Sequence, residues 1–238
     1  MKIKNVKVYG LDESLIRSGY PMQTGEPMNL ETLQHKRETD EYLNSYKRAE
    51  RLSNTPSGSG HSNFRKGILI QFDMLYPQYI FSQFDRYNFW DDIGDGIFPK
   101  TTDLIDIISS QSKMHKLTSV KDIKNNCNKY VLEKTSDITN DLIAAYNFNS
   151  YPVDIEYRIN DNNEDVVITA NDKQELFQYI ISNLPMGYEL WMGVSTNYEQ
   201  LATIYRQRKN HKLKHDWGYF CKWIETLPMS ELITNKTE

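Results

Sequence analysis

The stretch that decides the fold runs over residues 60–86 and reads GHSNFRKGILIQFDMLYPQYIFSQFDR. Apolar and polar residues alternate from Ile68 to Met74, which is the pattern of a β-strand with one buried face. Tyr76-Pro77 ends this strand, and an aromatic-rich helix is predicted over Tyr79–Trp90, beginning near the proline. The stretch therefore predicts a strand that leads directly into a helix.

The composition is that of an ordinary globular protein. The chain has 238 residues, 39% hydrophobic and 25% charged, with a net charge of -4 that excludes a general nucleic-acid or membrane binder. Any anion site must then be a local basic cluster. Cys127 and Cys221 are expected to be free thiols in a reducing compartment. The absence of a signal-peptide pattern and of a long apolar run predicts a cytoplasmic protein.

Outside residues 60–86, periodicity predicts alternating strands and helices. The predicted elements are a strand around Ile3–Val8, a helix over about Asn29–Leu52, a loop over Asp91–Pro99, a polar and mainly helical stretch over residues 100–150, a hairpin over Tyr151–Ala170 that turns at Asn160–Asn163, a helix over Lys173–Asn183, a strand at Leu190–Val194, and a helix over Asn197–Leu227 that is broken near His211. This order fits the α+β class better than a doubly wound sheet. Neither a Rossmann glycine motif nor a P-loop is present.

Two polar segments have alternative interpretations. The densest basic stretch is either a solvated helix face or an anion clamp, because guanidinium groups stay charged and offer a planar fork of donors. Its members are Arg206, Arg208, Lys209, His211, Lys212 and Lys214. Residues 109–116 (SSQSKMHK) combine hydroxyls, an amide and lysines, which suits either a phosphate-binding loop or an ordinary surface loop.

No metal site is predicted. His211 and His215 are four residues apart, so a helix would place both on one face, but two imidazoles are only half of a zinc site. The lysines beside them would repel a cation. The acidic residues of segment 91–96 lack the ligand spacing of a calcium loop, so they are interpreted as solvated loop acids.

The stretch quoted first resembles a block of the flavin-dependent thymidylate synthase family. Gly60-His61 is followed by the strand around Ile68 and then by Gln83 and Arg86. The family block likewise starts with Gly-His, runs through a strand and ends in a Gln-x-x-Arg helix. The spacing from the histidine to the arginine matches without a gap.

Two later segments resemble the same family in the same order. The stretch from Leu184-Pro185 through Asn197 to Arg208 is similar to the C-terminal block of the family. Ser109-x-Gln111 and Lys116 resemble the second half of the family motif R-H-R-x-x-S-x-N-E-x-S-x-R. The matches cover about a third of the chain, and their shared order and spacing carry the resemblance.

The resemblance implies a fold and a reaction. It predicts a single α+β domain over residues 1–238, with helices packed on a small mixed or antiparallel sheet and an insertion near residues 89–104. The family transfers a one-carbon unit from methylenetetrahydrofolate to C5 of dUMP, and FAD, reduced by NADPH, carries the hydride. The implied protein is a homotetrameric methyltransferase that binds FAD and dUMP or a related pyrimidine nucleotide, with neither a membrane nor a nucleic-acid partner.

The resemblance also assigns roles to residues. Arg208 is the expected catalytic residue, because a fixed positive charge favours ionised N3 of uracil and pushes electron density toward C5. The expected nucleotide contacts are Gln83, Arg86, Ser112, Lys113, Met114, Lys116 and Arg208. The expected flavin contacts are His61, Asn63, Arg86, Tyr87, Ser109, Asn197 and Thr203.

The sequence departs from the family pattern at charged positions. The family's R-H-R is Arg86-Tyr87-Asn88 here, and its glutamate, its last arginine and the arginine before Leu-Pro fall on Ser112, Lys116 and Ile181. Two functions of different classes stay open. The retained Arg208 favours the FAD-dependent enzyme, whereas the altered R-H-R favours a degenerate protein that senses or sequesters a uracil nucleotide. A likeness of architecture alone is a third alternative.

Overall fold

The computed structural model describes residues 1–26, 37, 39–56, 60–85, 87, 105–158 and 165–234. Its strands are β1 (Lys2–Tyr9), β2 (Leu69–Pro77), β3 (Asp106–Ser110), β4 (Val153–Arg158), β5 (Asp165–Ala170) and β6 (Glu189–Asn197). Its α-helices are α1 (Leu11–Arg17), α2 (Asp40–Ser53), α3 (Gln78–Asp85), α4 (Lys113–Lys116), α5 (Glu133–Phe148), α6 (Lys173–Ser182), α7 (Tyr198–Arg208), α8 (Trp217–Ile224) and α9 (Glu231–Thr234). The described strands form a four-stranded sheet of order β1-β2-β6-β3 and the β4-β5 hairpin. The predicted α+β class is confirmed.

The chain forms two compact units, each built from discontinuous segments. Unit 1 comprises Met1–Met74, Ser82–Ser109 and Met192–Glu238, and unit 2 comprises Leu75–Phe81 and Ser110–Trp191. The boundary falls within β2, α3, β3 and β6. The single domain over residues 1–238 stays a prediction.

The core of unit 1 follows from the alternation in β2. Ile70, Phe72 and Met74 are buried, as the sequence predicted. The ring of Phe72 lies 4.6 Å from that of Trp223 and 6.2 Å from that of Phe220, both on α8. Such ring pairs contribute about 0.5–1.5 kcal/mol beyond the area that they bury. The quoted stretch and α8 are therefore held together by aromatic packing.

The break predicted near His211 is present. Helix α7 ends at Arg208 and α8 begins at Trp217. His211 and His215 lie in the connection between these helices, so no helix aligns the two imidazoles on one face. Helix α8 is a new amphipathic helix, whose buried residues include Phe220 and Ile224.

The predicted helix over Asn29–Leu52 is wrong near its start. Helix α2 begins at Asp40, because the side chain of Thr39 accepts a hydrogen bond from the backbone N–H of Tyr42 at 3.3 Å and caps it. Arg37 and Thr39 are not helical, and residues 27–36 lie outside the described part of the chain. The apolar spacing that predicted the helix is present from Tyr42 onward.

Unit 2 contains the predicted hairpin and helix pair. Strands β4 and β5 are antiparallel, with Val153 opposite Ala170 and Ile155 opposite Ile168. Helices α5 and α6 pack together, and the ring of Tyr146 lies 5.8 Å from that of Phe177. The predicted hairpin and the predicted helix at Lys173 are therefore confirmed.

The mainly helical prediction for residues 100–150 is wrong at its beginning. Residues 106–110 form β3, at one edge of the four-stranded sheet. Most of its side chains are exposed, and Ile108 is 60% exposed. An edge strand with few buried residues lacks the apolar alternation by which strands are recognised.

Several predictions fall outside the described residues. These are the insertion near 89–104, the loop over Asp91–Pro99, the hairpin turn at Asn160–Asn163 and the roles of Arg86. Among the residues that the structure does describe, no helix has the length and apolar character needed to cross a membrane.

Candidate functional site

Arg208 is placed by the last turn of α7. The helix begins where Asn197 Oδ1 accepts a hydrogen bond from Gln200 N at 2.9 Å, and cationic side chains in its last turn interact favourably with the helix dipole. Arg208 is half-buried, whereas Arg206 is exposed. Two residues of helix rotate a side chain by about 200°, so the two arginines have different surroundings.

The guanidinium group of Arg208 is held between two aromatic side chains. Arg208 Nε donates a hydrogen bond to Tyr87 Oη at 2.6 Å. Its Cζ lies 4.5 Å from the ring centroid of Trp217 and 5.4 Å from that of Tyr87. Cation–π contacts contribute about 0.5–2 kcal/mol depending on their desolvation. The charge of Arg208 is thus fixed in position by Tyr87 and Trp217.

Trp217 is itself oriented by Gln83. The indole Nε1 of Trp217 donates a hydrogen bond to Gln83 Oε1 at 2.8 Å, and the indole is fully buried. Its ring stacks on Phe84 of α3 with centroids 4.9 Å apart. Since Gln83 and Phe84 are neighbours on α3, this helix sets the plane of the indole on which Arg208 rests.

Tyr87 is anchored through its backbone as well as its hydroxyl. Its carbonyl oxygen accepts a hydrogen bond from Gln200 Nε2 at 2.9 Å, and its N–H donates to the carbonyl of Phe84 at 2.9 Å. Only 2% of Tyr87 is exposed. Burial raises the pKa of the phenol, and the neighbouring Arg208 offsets part of that rise. The phenol therefore stays protonated at neutral pH.

The electrostatic environment of Arg208 is positive. Among the described residues, no carboxylate forms an ion pair with Arg208, whereas Arg65 is paired with Glu199 at 2.6 Å. The ring of His211 lies 6.2 Å from that of Trp217; burial lowers the His211 pKa, and Arg208 and Lys212 lower it further. An arginine has five N–H donors, and the bond to Tyr87 uses one. The remaining donors suit an anion or a carbonyl oxygen.

The predicted nucleotide contacts from residues 112–116 lie in unit 2. Lys113 Nζ donates to Gln78 Oε1 at 2.8 Å, and Gln78 Nε2 donates to the carbonyl of Pro185 at 3.2 Å. Ser112 Oγ accepts a hydrogen bond from Met114 N at 3.1 Å. Ser112, Met114 and Lys116 are exposed. Their convergence on Arg208, which is in unit 1, stays a prediction.

The predicted flavin contacts differ in their exposure. His61, Asn63 and Ser109 are exposed. Asn197 is only 5% exposed, and its Oδ1 caps α7. Thr203 is half-buried, and its hydroxyl donates to the carbonyl of Glu199 at 3.3 Å. The structure thus gives Asn197 and Tyr87 internal hydrogen-bonding roles, which differ from the flavin contacts that the resemblance implied.

Three residues of this neighbourhood were missed by the sequence analysis. Trp217 carries the ring beneath Arg208, and Gln200 holds the backbone of Tyr87. Arg65 is 2% exposed and donates both to Glu199 and to the carbonyl of Leu232, at 2.9 Å for the latter. A tryptophan shortly after the densest basic stretch was the available signal for Trp217. No local pattern indicates the other two.

Comparison with solved structures identifies the fold. A crystal structure of the flavin-dependent thymidylate synthase ThyX from Helicobacter pylori, complexed with FAD and dUMP, has a TM-score of 0.55 and 13% identity, with 99% of this chain and 98% of that chain covered. Another structure of ThyX from Helicobacter pylori with FAD and dUMP has a TM-score of 0.60 and 11% identity, with the same coverage.

These likenesses establish architecture. No protein-family model matches the sequence, and no curated protein matches it. At 11–13% identity the neighbours show a divergent fold of the flavin-dependent thymidylate synthase type, which is the fold that the sequence predicted.

Proposed function

We propose that this protein binds a pyrimidine deoxynucleotide, dUMP by default, at Arg208 and carries out FAD-dependent one-carbon transfer to C5 of its base. The observation that carries the proposal is the guanidinium group of Arg208, fixed between Tyr87 and Trp217 without a described carboxylate partner. The fold supports it, because the neighbouring ThyX structures hold FAD and dUMP.

Arg208 acts on the base through its charge. Two unit charges 4 Å apart interact by about 4 kcal/mol at an effective dielectric constant of about 20. A guanidinium at that distance from uracil stabilises the form ionised at N3, which raises electron density at C5. The aromatic walls help, since a charge fixed before the substrate arrives needs no reorganisation during the reaction.

The other nucleotide contacts act by position. Gln83 holds the indole beneath Arg208 through its Oε1, and it thereby positions Arg208 rather than the base. Lys113 and Lys116 would bind the phosphate, with the Ser112–Met114 backbone. Since they belong to unit 2, this part of the proposal is tested separately: Lys116→Ala should weaken dUMP binding.

The residues proposed for the flavin fit it unequally. FAD supplies the hydride when bound, with NADPH and methylenetetrahydrofolate as the co-substrates. The exposed side chains of His61, Asn63 and Ser109 have donors and acceptors to offer to such a group. Tyr87 and Asn197 do not fit, because their side chains are buried and bonded inside unit 1.

A second function is supported by that same misfit. Tyr87 stands where the family has a histidine, and its hydroxyl binds Arg208. A protein of this kind would keep the nucleotide site and lose the flavin chemistry, and would then sense or sequester a uracil nucleotide. The homotetramer expected from the resemblance is compatible with both functions.

Two measurements on the purified protein separate the functions. A visible flavin absorbance spectrum supports the enzyme, and its absence after reconstitution with FAD supports the nucleotide-binding protein. In calorimetric titration, Arg208→Ala should bind dUMP about tenfold to more than a hundredfold more weakly, because a charged hydrogen bond contributes about 1.5–3 kcal/mol.

Arg206→Ala is the matched control for this titration. It removes the same charge from an exposed position on another face of the same helix, and dUMP affinity should stay that of the parent. Equal affinities for the parent and both variants would refute the assignment of the nucleotide site to Arg208.

A further inference from the structure

A cavity lies in unit 1 between helices α7 and α8, and we call it the α7–α8 groove. Its volume is about 900 Å³, within the range of ligand pockets in proteins. Its described lining does not include Arg208, Tyr87 or Trp217. The lining residues are Tyr205, Lys209, Asn210, Lys214, His215, Gly218, Tyr219, Cys221, Lys222 and Glu225.

The charge of the α7–α8 groove is positive. Lys209, Lys214 and Lys222 line it and are exposed, and among the described residues none of the three forms an ion pair. The single acidic residue of the lining, Glu225, accepts a hydrogen bond from Tyr205 Oη at 2.8 Å. Three ammonium groups against one carboxylate leave an excess of positive charge, which favours an anionic occupant.

Gly218 leaves open space in the lining of the α7–α8 groove. A Cβ built on Gly218 would meet only Lys214 Cβ, at 3.9 Å, so the side-chain space at this position is open. Tyr205 and Tyr219 bring aromatic rings to the lining, and Tyr219 is 43% exposed. Aromatic rings that reach a groove offer stacking surfaces to flat ligands.

The floor of the groove does not counter this charge. Burial raises the pKa of the Cys221 thiol to about 11, so the thiol is neutral at physiological pH.

A metal ion is disfavoured by the three lysines. A nucleic-acid strand is disfavoured by the net charge of -4 and by the confinement of these lysines to one groove.

We propose that the α7–α8 groove is a second ligand site, which binds a free nucleotide through its phosphates. Lys209, Lys214 and Lys222 contact the phosphates, and the base lies against the ring of Tyr205 or Tyr219. Lysine binds phosphate through one charged amine on a flexible side chain. Three lysines can therefore adapt to a flexible diphosphate, which does not present one fixed geometry. The described lining of this site does not include Arg208, and the proposal does not rest on the dUMP site proposed there.

The test is calorimetric titration of ADP into the full-length parent and Gly218→Glu. The added glutamate fills the open space at position 218 and places a negative charge beside the lysines. It should weaken ADP binding by about tenfold or more, the loss expected for one charged contact. Because glutamate forms helices better than glycine and suits the first turn of a helix, the thermal midpoint should not fall.

Further variants and probes distinguish the effect of the added negative charge from the effect of filling the groove. Gly218→Gln should weaken ADP binding less than Gly218→Glu does. Lys222→Ala should weaken it severalfold, whereas Lys47→Ala, which removes an exposed lysine from α2, should leave it unchanged. Adenosine should bind more weakly than ADP, and ADP binding should weaken with added salt, because ion pairs with exposed lysines are screened.

Three results would overturn the proposal. They are equal ADP affinities in the parent and Gly218→Glu, the absence of ADP binding at millimolar concentration, and tighter binding of an oligonucleotide than of ADP. A parallel dUMP titration of Lys222→Ala, with unchanged affinity expected, keeps failure here distinct from failure of the Arg208 site.

Discussion

The bond between Tyr87 and Arg208 can be measured by removing one atom. Tyr87→Phe deletes the hydroxyl that accepts from Arg208 Nε at 2.6 Å, and it keeps the ring that lies 5.4 Å from the guanidinium. The contact of Arg208 with Trp217 is also kept. The variant therefore isolates a single hydrogen bond of a charged donor.

The expected magnitude follows from the burial of the two partners. Hydrogen bonds to charged groups contribute about 1.5–3 kcal/mol. Tyr87 is 2% exposed but Arg208 is only half-buried, so water can replace the lost acceptor at the guanidinium. We therefore expect a loss near the lower end, about 1.5 kcal/mol of unfolding free energy. In a chain of this length that corresponds to a fall of about 3–6 °C in thermal midpoint.

A double-mutant cycle gives the pair term directly. The unfolding free energies of the parent, Tyr87→Phe, Arg208→Ala and the double variant are measured in denaturant. The sum of the losses in unfolding free energy of the two single variants should exceed the loss in the double variant by about 1–2 kcal/mol. The matched cycle with Arg206→Ala should be additive within about 0.5 kcal/mol. Additivity in the Arg208 cycle as well would refute the bond on which the site is built.

Two further variants test other parts of unit 1. Arg65→Ala should cost about 3–5 kcal/mol in unfolding free energy, because it leaves Glu199 and the carbonyl of Leu232 without their charged donor; a loss below about 1 kcal/mol would contradict this. Burial lowers the His211 pKa, so the unfolded chain binds a proton at this residue more readily than the folded protein does. The parent therefore loses stability as pH falls below about 6.5. His211→Gln should lose less stability over the same pH range. Urea titrations at pH 7.5 and 5.5 compare the two proteins, and equal losses would contradict the assignment.

The elements that the sequence predicted well are those with a strong local pattern. Strand β2 alternates clearly and ends at Pro77, so its burial and its end are both readable. Helix α7 has a capping asparagine and a buried apolar face, including Leu201 and Ile204. Strand β3 has neither feature, because an edge strand buries few side chains.

The contacts of the site could not be predicted in the same way. Gln83 and Trp217 are 134 residues apart, and Tyr87 and Arg208 are 121 residues apart. No periodicity links such distant residues, and only the spacing shared with a known family brought Gln83 and Arg208 into one hypothesis. Trp217 was outside that hypothesis because an apolar ring in an amphipathic segment looks like an ordinary core residue.

Tyr87 occupies the position that the resemblance aligns with a histidine, and its contacts are compatible with a nucleotide site. The phenol is neutral at physiological pH, because burial raises its pKa, so Tyr87 accepts a hydrogen bond without cancelling the charge of Arg208. It uses the Nε donor and leaves the Nη donors, and Trp217 covers one face of the guanidinium. A half-buried charge that the described residues hold by neutral groups alone keeps its charge and its Nη donors for an anion, which is what an ionised uracil would supply.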